Sequence, residues 1–264
     1  MLPGVYQAQK KDGTIYYRSS ITFSGKHISL GSFDTEKEAH AAYLCADNLL
    51  HSTTLTLEQY KERKTALTFA KWTSLVNFRD NGIYIKTPIY LYKHFFHYYF
   101  TKDDYLIFDI DDLFYYSTRT ISRRGNHLFV ADYGMQVNIL SRFGIKNYAV
   151  AGRDFLFVNG NTKDFRYENI QIINRFHGVC QKTKNGKNYF ETKIHWNGDF
   201  LVGRYKNEIE AAIAYNKAAS VLLTKGYMKD YPVNYIEELT AEQYRKQYQA
   251  VKISSRIHNL AERI

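Results

Sequence analysis

The chain has 264 residues, 45% hydrophobic and 16% aromatic, enough for two or three compact domains with real cores rather than a peptide-sized motif. A formal charge of +10 favours an anionic partner, nucleic acid first. Cys45 and Cys180 are the only cysteines and no Cys-x-x-Cys pair exists, which excludes a cysteine zinc site and requires no disulfide. The opening MLPGVYQAQKKDG lacks the apolar core of a secretion signal, and no apolar run approaches the roughly 20 residues that span a bilayer. The expectation is a soluble, cytoplasmic, nucleoid-associated protein.

An internal repeat organises the chain. Residues 4–50, GVYQAQKKDGTIYYRSSITFSGKHISLGSFDTEKEAHAAYLCADNLL, align throughout with 178–222, GVCQKTKNGKNYFETKIHWNGDFLVGRYKNEIEAAIAYNKAASVLL. Gly4-Val5 meets Gly178-Val179, Gly31 meets Gly203, and Ala42-Tyr43 meets Ala214-Tyr215. The echo continues, since Thr56-Leu57-Glu58-Gln59-Tyr60-Lys61 recurs as Thr240-Ala241-Glu242-Gln243-Tyr244-Arg245.

Each copy predicts three short strands and a helix. The second strand covers Ile15 to Phe23 in one copy and Tyr189 to Trp196 in the other, with tight turns at Ser24-Gly25 and Asn197-Gly198. The third strand is expected to end at Leu30 or Val202. The helix opens with capping-box spacing, Thr35 with Glu38 and Asn207 with Glu210. Alternation sets Tyr17, Ser19 and Ile21, or Phe190, Thr192 and Ile194, toward the core. The opposite face carries Tyr16, Arg18, Ser20 and Thr22, or Tyr189, Glu191, Lys193 and His195. Such a face is either a solvated surface or a reader of the DNA major groove. In the first copy Lys10, Lys11, Arg18 and Lys26 lie in the strand region, whereas Asp34, Glu36, Glu38 and Asp47 lie on or beside the helix. That polarity suits a sheet turned toward DNA.

The repeat resembles the AP2/ERF DNA-binding domain. Its Gly-Val start, aromatic-x-x-x-Ile strand and LGSFDTEKEAHAAY at 30–43 carry the likeness, and VGRYKNEIEAAIAY keeps it more loosely. The resemblance implies that a three-stranded sheet lies in the major groove. By position, the candidate contacts are Tyr6, Lys10, Lys11, Tyr16, Arg18, Ser20, Thr22, His27 and Ser29 in the first copy. In the second they are Lys182, Lys184, Tyr189, Lys193 and His195. Lysines tend to bind phosphate, and Arg18 is the expected guanine reader.

Between the copies, Leu57 to Leu75 predicts a linker helix with Tyr60, Ala66, Phe69, Ala70 and Trp72 as its apolar positions. The aromatic-rich region 83–176 ends in VNGNTKDFRYENIQII, which resembles the core of HNH homing endonucleases of phages and bacteria. That family implies histidines that deprotonate water and help to hold a divalent metal. Here the corresponding positions are Gln136 and Phe157, while Asn169 remains. Phenylalanine neither accepts a proton nor binds a metal, so these three are vestigial positions, and no catalytic residue, metal or cofactor is expected.

His94 and His97 in LYKHFFHYYF are read as a helical pair without a third ligand, and Asp109, Asp111 and Asp112 as a solvated strand-to-helix junction. Arg123-Arg124-Gly125-Asn126-His127 is either a phosphate-contacting turn or a basic hairpin tip. The stretch from Glu237 to Ile264 predicts an amphipathic helix packed on its own domain, with a dimer contact as the alternative.

The expected fold class is α+β: an AP2-like domain over 1–51, a linker helix over 52–82, and a degenerate HNH-like core over 83–176. A second AP2-like domain over 177–228 and a helical extension over 229–264 complete the chain. The expected function is sequence-specific binding of double-stranded DNA by a regulator derived from a homing endonuclease, without catalysis. The alternatives are a metal-dependent nicking enzyme with a rearranged site, or a module that inhibits another nucleic-acid enzyme. Double-stranded DNA is the expected partner, and a protein partner through 83–176 stays open.

Overall fold

A computed structural model describes residues 1–61, 64–146, 149–224 and 230–261. The architecture is α+β, built from small antiparallel sheets and a few helices. The chain divides into two compact units, Met1–Val137 with Asn161–Tyr167, and Asn138–Gly160 with Glu168–Ile264. The region 83–176 therefore contributes to both.

The first unit opens with β1 (Val5–Gln9), β2 (Ile15–Phe23) and β3 (Lys26–Phe33), joined in one antiparallel sheet. Helix α1 (Glu36–His51) packs on it through Ala39, Ala42 and Ala46, whose small side chains let the helix sit close. Its capping box is reciprocal: the Glu38 N–H donates to Thr35 Oγ1, and the Thr35 N–H donates to a Glu38 carboxylate oxygen. Helix α2 (Phe69–Asn81) buries Trp72, Leu75, Val76 and Phe78 in the same core.

This helix starts and ends later than the sequence suggests. Thr68 supplies the N-cap, accepting from the Lys71 N–H, and Gly82 closes the helix in the left-handed conformation. Residues 57–60 form only a turn, although the Thr56 N–H donates to Gln59 Oε1 just as Thr240 does to Gln243.

Next come β4 (Ile89–Leu91), β5 (Phe95–Thr101) and β6 (Asp104–Asp109), a second antiparallel sheet, followed by a short helix α3 (Leu113–Tyr116). His94 and His97 thus stand in a turn and a strand, not on a helix. Phe96 and Tyr98 alternate into the core while Phe95 and His97 face the other way, which is a period of two. Asp109 to Asp112 form the strand-to-helix junction, but Asp112 is buried at 1% exposure rather than solvated. The meander β7 (Ile121–Arg124), β8 (His127–Asp132) and β9 (Met135–Asn138) follows, with the last residue of β9 already in the second unit.

In the second unit, β10 (Phe155–Phe157) and β11 (Ile170–Ile172) form a small hairpin-like pair. The repeated module follows: β12 (Val179–Lys184), β13 (Lys187–His195), β14 (Asp199–Tyr205) and α4 (Glu208–Thr224). The expected C-terminal helix is broken into α5 (Ala241–Ala250) and α6 (Ser255–Ala261). Val251 is extended at the break, and the Ser254 N–H donates to the Val202 carbonyl, so the chain pins itself to β14 before turning helical again.

The two copies agree in register as well as in element order. Val5, Ser19 and Gly31 lie side by side in one sheet, as Val179, Thr192 and Gly203 do in the other. A bulge follows immediately in both, between Ser19 and Ser20 and between Thr192 and Lys193. Gly4 and Gly178 explain the recurring Gly…Tyr letters. Each has a left-handed φ, +72° and +70°, and a Cβ there would overlap the ring of Tyr43 or Tyr215 from the helix. The freed carbonyls accept from the Ser20 N–H at 3.0 Å and the Lys193 N–H at 2.8 Å, fixing the bulges.

Candidate nucleic-acid interface

On the first sheet, the face turned away from α1 presents Tyr6, Tyr16, Arg18, Thr22, His27, Ser29 and Ser32, with no acid among them. Arg18 occupies the middle strand between Tyr6 and Ser32. Its Nε and Nη2 both donate to the Tyr16 hydroxyl, at 3.1 and 2.7 Å, and its guanidinium lies 5.4 Å from the Tyr16 ring centre. One edge of the fork is thereby held, an arrangement that orders a long side chain before any partner arrives. Thr22 and His27 meet across the strands at 3.3 Å. Lys10 and Lys11 are exposed at the turn into β2, beside Asp12, whose carboxylate accepts from the Thr14 N–H.

Ser20 departs from the expected face. It is 8% exposed, because the bulge at Ser19 and Ser20 tucks it under the sheet surface. Ser32 was not among the expected contacts. Its strand continues past Gly31 to Phe33 instead of stopping at Leu30, since the bulge absorbs Leu30 as an extra buried residue.

The second sheet has the same frame with different charges. Glu191 stands where Arg18 does, and Arg204 where Ser32 does. Arg204 Nε donates to Glu191 at 3.1 Å, and Lys193 lies 3.6 Å from the same carboxylate. His195 pairs with Asp199 at 2.9 Å. Lys182 and Tyr189 face each other across β12 and β13, and Lys184 is exposed near the hairpin tip. Arg204, like Ser32, follows the bulge and escapes any count that ends the strand at Val202.

This second face is also bordered. Lys146 and Arg153, from the segment before β10, line a cleft of about 370 Å³ together with Lys182, Glu191, Lys193 and His195. Asp154 is buried at its floor, paired with Lys146 at 3.2 Å and Arg153 at 2.7 Å. Burial pushes its carboxyl up, but the Arg153 hydrogen bond, the Val150 N–H and Lys146 together hold it below the usual carboxylate range. Burial likewise pushes the Lys146 ammonium down, against the pull of Asp154. Asn174 links this cluster to the sheet, donating to the Arg153 carbonyl and accepting from the Gln181 N–H.

Compared with known proteins, the chain matches no family model, and no curated protein or solved structure is significantly similar to it.

The vestigial positions are placed as follows. Phe157 ends β10, and Asn169 is 3% exposed, its Oδ1 accepting from the Asn159 N–H at 2.7 Å. The Val158 N–H donates to the Asn169 carbonyl, so this residue closes the loop after β10. Gln136 is exposed on β9, within the first unit. Among the described residues, no three His, Cys, Asp or Glu side chains gather as a metal-binding group. His97 is stacked on Tyr105 at 4.3 Å, and burial pushes its pKa down to about 4, opposed by the charge of Asp164. It is a neutral packing ring. Arg123 and His127 flank a hairpin tip, with Arg123 paired to Asp104 at 2.9 Å.

Proposed function

We propose that the protein is a sequence-specific double-stranded DNA-binding protein built on two AP2-like sheets, a regulator of transcription descended from a phage or mobile-element homing endonuclease. The single observation that carries this reading is the face around Arg18. An arginine held by a tyrosine, at the centre of an acid-free β-sheet face, matches what bidentate guanine readout in the major groove requires. The acids Glu36 and Glu38 are gathered at the helix start, away from that face.

In this reading the second copy grips the backbone. Its central residue is an acid, and its cations, with Lys146 and Arg153 beside them, suit phosphates better than base edges. Cleavage has been lost: Phe157 has no proton-accepting group, and the Asn169 side chain is spent inside its own loop. Two tethered sites then raise affinity through effective concentration.

Selection from a random duplex library at physiological salt tests the proposal. The expected result is an enriched motif with a guanine whose preference vanishes in Arg18→Ala. Absence of any enrichment would refute DNA reading, and metal-dependent nicking of supercoiled plasmid abolished by Asn169→Ala would refute the loss of catalysis.

A further inference from the structure

Helix α5 has 10 residues and buries none of them. A helix this short draws its stability from packing an apolar stripe more than from its own hydrogen bonds. The capping box of Thr240 and Gln243 secures its first turn, and two tyrosines lean on α4. The Tyr244 hydroxyl accepts from Asn216 Nδ2 at 3.0 Å, and the Lys217 ammonium lies 5.6 Å from the Tyr248 ring centre. Both rings also line a groove of about 660 Å³, whose other wall is the segment 233–239. On that wall Val233 is 57% and Tyr235 83% exposed. Tyr235 has no hydrogen bond, ion pair or ring contact among the described residues.

The internal repeat shows what such a stripe accepts. Tyr60 is the sequence counterpart of Tyr244, and in the first copy Phe69 and Trp72 meet its ring at 5.1 and 5.7 Å. In the second copy Tyr244 meets Tyr248 at 5.9 Å, and the groove beside them stays open. A further aromatic ring is therefore what fits there, and the same surface carries one in Tyr235. Its charges are matched as well. Glu237 on the segment and Arg245 on the helix are both exposed, and neither forms an ion pair among the described residues. They stand on opposite walls of the groove.

We infer that this face is a contact between two copies of the chain, paired about a two-fold axis. Such a contact must be self-complementary, because each residue meets its complement on the other copy and the reverse. Tyr235 of each copy enters the other's groove beside Tyr244 and Tyr248, and Glu237 of each meets Arg245 of the other. A ring and a groove, an acid and a base, all lie on one patch, so a second copy brings every complement with it. Aromatic anchors seated in a dry pocket are also where the energy of an interface concentrates.

Sedimentation velocity on the full chain, over a series of concentrations, tests the inference. Wild type is expected to dimerise as its concentration rises. Tyr235→Ser removes a ring that contacts nothing within the monomer, so it should keep its melting temperature when dilute while its dimer dissociation constant rises about tenfold or more. Arg245→Glu and Glu237→Arg should each weaken the dimer, and the chain carrying both should regain affinity, because each ion pair then forms in the reversed sense. That rescue is a result a folding defect cannot produce. Backbone amides of α5 should also exchange with solvent faster in Tyr235→Ser than in wild type at concentrations where wild type is dimeric. A wild-type chain that stays monomeric throughout would overturn the inference. So would a dimer indifferent to Tyr235→Ser, or a double charge reversal no better than either single one.

Discussion

Replacing Arg18 separates base reading from simple charge attraction. In Arg18→Ala the fork is gone, and one bidentate base contact is worth about 1–3 kcal/mol, or roughly a 5- to 150-fold loss of affinity for the preferred site. Arg18→Lys keeps the charge but cannot present two parallel donors, so most of the same loss is expected at the preferred base and little on other sequences. Tyr16→Phe removes the hydroxyl that accepts from both Nε and Nη2. Arg18 must then be ordered on binding, a cost of about 0.5–1.5 kcal/mol, or roughly a 2- to 12-fold weakening. Fluorescence anisotropy on the selected duplex and on single-base variants, all at one salt concentration, reads the three together. Equal weakening on every sequence would demote Arg18 to a phosphate contact. A Tyr16→Phe protein that binds as tightly as wild type would refute the clamp.

Glu191→Gln should free Lys193 and Arg204 for phosphates, strengthening binding several-fold and steepening the salt dependence by about one to two logarithmic units; unchanged binding would mean this face does not meet DNA. Asp154→Asn leaves Lys146 buried without its counter-charge and should cost about 3 kcal/mol in urea unfolding, with part of the loss recovered when Lys146 is also replaced by Met. Gly178→Ala should destabilise by about 3 kcal/mol or more, against about 1 kcal/mol for Gly186→Ala, because both backbones are left-handed but only Gly178 is crowded, by Tyr215 and the Lys193 carbonyl. Finally, His97 is neutral in the fold down to about pH 4, whereas an unfolded histidine protonates near 6.5. Its contribution is fully present above 6.5 and declines as pH falls toward 4, by about 1–2 kcal/mol after allowing for solvent screening; His97→Phe should flatten thermal stability over that window by this amount.

The repeat was legible because its letters encode local physics. Gly4 and Gly178 are small where a tyrosine ring lies, Thr35 and Asn207 cap helices, and the alanines of α1 and α4 face their sheets. The bulges were not legible, since a single extra residue leaves composition and alternation almost unchanged while moving Ser20 inward and adding Ser32 and Arg204 to the faces. LYKHFFHYYF misled for a related reason. With aromatic residues on both faces of β5, there is no polar contrast to distinguish a period of two from a helix. The cleft beside the second sheet depends on Lys146 and Arg153, which come from before β10 and reach β12 and β13 only through the tertiary fold.

On the proposed DNA-binding reading, the charges at matched positions argue for a division of labour between the copies. In the first, the central cation Arg18 has neighbours that are neutral, so its positive field is uncompensated and its fork can be committed to one base. In the second, the central Glu191 already holds Arg204 and Lys193, and His195 is held by Asp199. Arg204 and Lys193 are largely exposed and share the 11%-exposed Glu191, so one of them can exchange the carboxylate for a phosphate cheaply while the other keeps that carboxylate paired. A cheap exchange supplies affinity without sequence preference, because every nucleotide offers the same phosphate. The identical bulged frame can therefore hold a selective contact at one end of the chain and a permissive one at the other, with the difference written in a few side chains rather than in the fold.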